Sequence, residues 1–252
     1  LLHDLTEAMR AEVRLVLKQG EATLAESRQE ITALARNEWG GARHMPELLA
    51  AFVTPNDPAV GRLLKSASDI LKSAGRRSAI DGYEAKSRSR VWELASAIWA
   101  AVSARGIAYA LPPASFEREG QKVRLPSDIE DQGLATCLDT TLFFAAALEQ
   151  AGLRPIVAFT EGHAFAGVWL QPQHLPSMTV DDAMELRKAI ALDELILFET
   201  TLAVKDAPMP FVRALEAGRA QVAEEREAAF VYAIDIARAR SRGVQPLSTR
   251  AA

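Results

Sequence analysis

Cys137 is the only cysteine in the chain, and it stands where the turn Gly133-Leu134-Ala135-Thr136 gives way to a long apolar helix pattern. A thiol at a helix N-terminus faces the positive end of the helix dipole, which favours the thiolate, the nucleophilic form. His163 follows after the apolar strand pattern Ile156-Val157-Ala158-Phe159 and the turn Thr160-Glu161-Gly162, and it opens a second strand with alternate apolar residues. An imidazole beside a thiolate supplies both a stabilising charge and a proton for a leaving amine. The pair points to nucleophilic attack on an amide or thioester carbonyl. The bland alternative is that Cys137 is a small buried hydrophobe. His3, His44 and His174 fall in surface-like stretches, and Cys137, His163 and His174 lack metal-ligand spacing. Neither a metal nor a cofactor is expected.

The elements that must hold this pair can be read outward from it. Leu138, Leu142, Phe143, Ala146 and Leu148 bury the helix that starts at Cys137, and Gly152 caps it. The short turn between the strands at 155–159 and 163–170 implies an antiparallel pair. A polar excursion over 171–194, with a helix at 180–190, is expected to border a substrate cleft before the apolar strand at 195–198. A helix over 210–226, a closing strand over 230–236 and a loose tail over the last dozen residues follow. Upstream, residues 46–52 read as a helix. Asp57 caps a second helix with Pro58 in its first turn, and a third over 89–105 carries Val91, Leu94, Ala95, Ile98, Trp99 and Val102 as a core stripe. Residues 109–131 read as a surface passage with one strand candidate at 121–125. Residues 11–37 fit a half-buried hairpin turning at Gln19-Gly20-Glu21 with a third strand near 31–34, or alternatively a helix with Val13, Val16 and Leu17 on one face. Residues 37–41 read as a turn or linker.

A chain of 252 residues, 49% hydrophobic and 25% charged, is long and apolar enough for one large or two modest globular domains, which excludes disorder and fibrous classes. A net charge of −4 leaves no electrostatic footprint for nucleic acid, so no direct nucleic-acid contact is expected. No apolar run approaches the roughly 18 residues of a membrane span, so no membrane partner is expected and the location is read as cytoplasmic. Because the sequence opens on Leu1, it reads as a piece of a larger polypeptide.

Thr136-Cys137-Leu138-Asp139 resembles the cysteine motif, and Gly162-His163-Ala164-Phe165 the Gly-His-Ala-aromatic motif, of the transglutaminase-like branch of the papain-like cysteine enzymes. The resemblance implies an α+β fold in which a central helix bearing the cysteine packs on an antiparallel sheet bearing the histidine and an acid. It places the acid after the strand that follows the histidine strand, where Phe198-Glu199-Thr200-Thr201 carries Glu199 in place of the family's aspartate. Ala35-Arg36-Asn37-Glu38-Trp39-Gly40-Gly41, Asn56-Asp57-Pro58-Ala59-Val60 and Pro113-Ala114-Ser115-Phe116 further resemble a region near the N-terminus of large bacterial proteins that carry a superfamily 1 helicase and a very-short-patch-repair-like nuclease. That resemblance spans most of 35–247 and implies a phage-defence context. No P-loop is present, so no ATPase activity is expected here. The chain then divides into a β-hairpin segment over 1–40, read as the tail of a preceding β-domain, a helical region plus transglutaminase-like core over 41–247 with the core at about 106–240, and a tail at 248–252.

The implied chemistry is a Cys137-His163-Glu199 triad acting through a thioester, with Glu199 orienting the imidazole. The Cys137 backbone N–H and the Gln132 side chain are the expected oxyanion donors. Glu161 is a rival acid, and Asp139 reads as a helix-start carboxylate. Water as acceptor gives a peptidase or amidase, a lysine amine gives a cross-linking transglutaminase, and a silent site gives a module that binds a partner. The partners implied are a protein or peptide substrate and the rest of a helicase/nuclease polypeptide.

Overall fold

A computed structural model of the chain describes residues 4–44, 46–204, 207 and 209–248. His3 and residues 249–252 of the expected tail lie outside them. The chain is α+β, and its organising layer is a five-stranded antiparallel sheet formed by β7 (Pro155–Thr160), β8 (His163–Trp169), β9 (Thr179–Val180), β10 (Leu195–Phe198) and β11 (Phe230–Asp235), in the order β10-β8-β7-β11-β9.

Helix α5 (Cys137–Gln150) packs on β7 and β8. Its residues from Cys137 to Leu148 are buried on every side, which is why its apolar residues form no single stripe. Alternation along β8 assigns the two faces of the sheet. Ala164, Ala166 and Val168 join the core shared with α5, while Phe165 and Trp169 join a second core with Leu175, Ala183 and Leu186. The excursion after β8 therefore packs mainly on the face of the sheet opposite α5. Its helix, α6 (Ala183–Ala191), is capped by Asp182, whose Oδ1 accepts from Met184 N at 2.8 Å, and so starts later than expected, after β9.

On the α5 side lie α1 (Pro58–Ser73) and α2 (Arg88–Ser103), close to the expected helices. Asp57 caps α1 by accepting from Ala59 N at 2.9 Å. Trp99 of α2 stacks on Phe144 of α5, with ring centroids 5.5 Å apart. Residues 46–52 form a 3-10 helix, and α7 (Phe211–Gln221) gives way to another over Glu224–Ala229.

Four expectations are corrected. The hairpin of β1 (Met9–Gln19) and β2 (Ala22–Ala33) forms, but residues 31–33 end β2 and make no third strand, and both faces are exposed. The supposed linker holds β3 (Glu38–Trp39), whose Trp39 is 1% exposed and stacks on Phe159 at 5.5 Å. The supposed surface passage contains β4 (Ala108–Tyr109), the short α3 (Phe116–Glu119), β5 (Gln121–Lys122), paired with β3, and α4 (Pro126–Gln132). It buries Phe116, Val123 and Ile129. Nor are the described residues of the expected tail loose: α8 (Ile236–Ser241) follows β11, Leu247 N donates to Ala51 O at 2.7 Å, and Arg36 Nη2 donates to Ser248 O at 2.7 Å. No helix among the described residues is long and apolar enough to cross a membrane.

Trp39 and the hairpin make opposite predictions. Trp39→Ala removes a fully packed ring and is expected to cost about 3–5 kcal/mol, read from the denaturant midpoint. Leu15→Ala, at a position 64% exposed, is expected to change it by less than about 0.5 kcal/mol.

Candidate active site

Three elements converge on one end of the sheet. Cys137 is the first residue of α5 and is 0% exposed. Its position is set from behind: Thr136 caps the helix by accepting from Asp139 N at 3.2 Å, and Asp139 returns a bond from Thr136 N at 2.9 Å, a reciprocal capping box. Gln121 Nε2 donates to Thr136 Oγ1 at 3.1 Å, in the buried interior. Asp139, itself 0% exposed, also accepts from Arg124 N at 2.9 Å and Arg124 Nη1 at 3.1 Å. Its duties are structural, as expected of a helix-start carboxylate.

His163 opens β8 across from Thr160. Its ring lies parallel to Phe165, with centroids 6.3 Å apart, and its Nε2 stands 2.5 Å from Glu199 Oε2. The other ring nitrogen, Nδ1, takes no part in that bond, and the ring lies close enough to Cys137 for the thiol to act on its ionisation. Glu199 follows β10, and Phe198 pairs with Ala166, so the acid comes alongside the start of β8. Its two oxygens have separate partners. Oε1 accepts from Thr201 N at 3.0 Å and Thr201 Oγ1 at 2.7 Å, whereas Oε2 accepts from Gln221 Nε2 at 3.3 Å and faces His163. Glu161, the rival, is 60% exposed at its side chain and pairs with Arg118 at 3.2 Å.

The structure does not bring Gln132 into this group. It is exposed, and its Oε1 accepts from Arg124 Nε at 3.1 Å; no hydrogen bond joins it to Cys137 among the described residues. A residue that sequence reasoning missed takes a place near the sulfur: the Tyr109 phenol is close enough to Cys137 for the thiol to act on its ionisation. The only local signal for Tyr109 is a two-residue strand, too short for alternation to show. His44 and His174 each face a backbone carbonyl, of Gly40 and Leu175, away from the site. No group of three or more metal-ligating side chains lies together among the described residues.

Burial alone would push the His163 imidazole down. Hydrogen bonds to Cys137 and Glu199 and the charges of both outweigh it, and the pKa is raised from 6.5 to about 9. Burial likewise opposes ionisation of Glu199, yet the His163 hydrogen bond and charge, with the two Thr201 donors, hold it below the usual carboxylate range. For Tyr109, burial together with the charge and hydrogen bond of Cys137 and the charge of Glu199 pushes the phenol up to about 12.

The raised imidazole carries a sign. The stability it contributes is fully present below pH 6.5 and is lost as pH rises through about 9. Glu199→Gln removes the facing negative charge and is expected to bring the His163 midpoint down by about 1–3 units, read by proton NMR titration of the ring. An unmoved midpoint would show that the carboxylate does not hold the proton there.

No family model, no curated protein and no solved structure matches the chain, so its chemistry rests on the geometry of Cys137, His163 and Glu199.

Proposed function

We propose that this chain is a cysteine hydrolase of the transglutaminase-like type, cleaving an amide or isopeptide bond in a protein or peptide through a thioester. The observation that carries the reading is the single imidazole that meets both partners: His163 Nε2 stands on Glu199 Oε2 at 2.5 Å, and the thiol at the start of α5 is close enough to act on the same ring. Cysteine, imidazole and carboxylate arranged in that sequence are the parts of a nucleophilic triad.

In the proposed cycle the Cys137 sulfur bonds to the carbonyl carbon and the C=O π pair moves onto oxygen. Collapse of that adduct expels the amine, which takes the proton from His163 and leaves an acyl thioester. Water then attacks the thioester with His163 as base, releasing the acid and restoring the thiol. Glu199 stays ionised throughout and fixes which ring nitrogen faces sulfur, its own placement secured by Thr201. Resemblance to the N-terminal region of bacterial helicase/nuclease proteins supports a place in such a polypeptide, with a role in phage defence.

A second reading, a silent module of the same fold that binds a partner protein or peptide, draws on one observation: Cys137 is 0% exposed. Iodoacetamide separates the two. The hydrolase reading expects Cys137 to be alkylated rapidly, by intact mass, and His163→Ala to slow this by about tenfold or more. Equal labelling of parent and variant would sink it in favour of the silent module.

A further inference from the structure

Tyr109 reaches the site from outside the helix and sheet that carry the triad. β4 runs parallel to β6 (Leu134–Ala135), with Tyr109 beside Ala135, two positions before Cys137. Backbone bonds from Ala108 N to Gly133 O at 2.8 Å and from Ala110 N to Ala135 O at 2.9 Å hold that register. The phenol thereby lies near the Cys137 sulfur. Cys137 is 0% exposed and Tyr109 is 39% exposed, so the phenol is the member of this pair that solvent reaches. A carbonyl approaching the sulfur from solvent comes alongside this hydroxyl.

The proposed hydrolysis makes a demand that Cys137, His163 and Glu199 side chains do not meet. When the S–C bond forms, negative charge develops on the carbonyl oxygen and needs fixed donors. The Cys137 backbone N–H, at the start of α5, is one of the helix-end amides left without an intrahelical partner. Gln132 is engaged with Arg124. The oxygen of the tetrahedral adduct is only two bonds from sulfur, so a hydroxyl standing near the sulfur reaches that oxygen by a small swing. We infer that Tyr109 is the second oxyanion donor, a catalytic residue that stands beside the thiol in the resting site and donates a hydrogen bond to the substrate oxygen as the adduct forms. This rests on the reading of Cys137 as the nucleophile of a hydrolase. With its pKa pushed up to about 12, the phenol remains a donor through neutral and mildly alkaline pH.

Two small probes on the full chain separate this inference from the reading beneath it. p-Nitrophenyl acetate acetylates the sulfur through a tetrahedral oxyanion, its acetyl carbon bonding to sulfur as p-nitrophenolate leaves. Iodoacetamide alkylates the same sulfur by direct displacement of iodide and forms no oxyanion. Rates are read by intact mass against Cys137→Ala. Tyr109→Phe, which keeps the ring and its packing, is expected to slow acetylation about 100-fold while alkylation stays within about twofold of the parent or rises. Acetylation at the parental rate overturns the inference. Equal slowing of both reactions also overturns it, because the ring would then serve packing rather than donation. A parent chain that neither probe modifies at Cys137 refutes the hydrolase reading itself, and the role of Tyr109 with it.

Discussion

The site depends first on a buried carboxylate that takes no part in its chemistry. Asp139 is 0% exposed, and a charge so placed is tolerated only when its oxygens are fully engaged. It meets that condition by accepting from three donors on two segments: Thr136 N from the turn before α5, and Arg124 N and Arg124 Nη1 from the stretch after β5. Arg124 extends the tie to α4 through Gln132, and Gln121 adds a bond to the Thr136 hydroxyl. The N-terminus of α5 is thus fixed from behind, and Cys137, its first residue, inherits that fixed position. Removing the carboxylate would free the helix start and leave Arg124 without its buried partner.

The sheet sets the rest by dividing two cores. One face packs α5 with α1 and α2; the other packs α6. Glu199 lies where β10 runs out between them, and α7 holds it there. Glu199 N donates to Ala214 O at 2.9 Å, and Gln221 reaches its carboxylate from the end of the same helix. α7 can come so close because Gly218 has no side chain: a Cβ there would lie 2.6 Å from backbone atoms of Leu197 and Phe198. Thr141 of α5 and Thr200 beside Glu199 share a buried hydrogen bond of 2.9 Å, so the helix with the thiol and the turn with the acid are joined directly.

Legibility in the sequence followed the range of the interactions. The helix at Cys137, the strands flanking Gly162 and the strand ending at Phe198 are each written in one contiguous apolar pattern, and all are observed within a residue or two. Trp39 and Tyr109 were not legible, because each sits in a two-residue strand whose partner is far along the chain, Gln121 for one and Ala135 for the other. Two residues carry no period. The hairpin shows a different limit: its alternation specified strands, but alternation marks an apolar face without saying what covers it, and Met9, Leu15 and Leu17 on that face are exposed. Gln132 failed for a third reason. Its spacing before Cys137 allowed an oxyanion role, whereas the nearby guanidinium of Arg124 decided where its amide points.

The presence of a glutamate at 199 has a physical reading in the same terms. A side chain that only oriented His163 would need one oxygen near the ring. Glu199 is also the N-cap of the 3-10 turn Thr200–Ala203, and its Oε1 satisfies Thr201 N and Thr201 Oγ1 while Oε2 remains on His163. The extra methylene lets one carboxylate fold back over its own backbone and still reach across to β8. Each task supports the other, since the cap restricts rotation of the side chain and so keeps Oε2 aimed at the imidazole. The donors at Thr201 and the charge of His163 offset the cost of burying the group and keep it ionised. What distinguishes Asp139 from Glu199, two buried carboxylates near one thiol, is therefore the remaining partner: a permanently charged guanidinium for the first, and for the second a ring that can give its proton away.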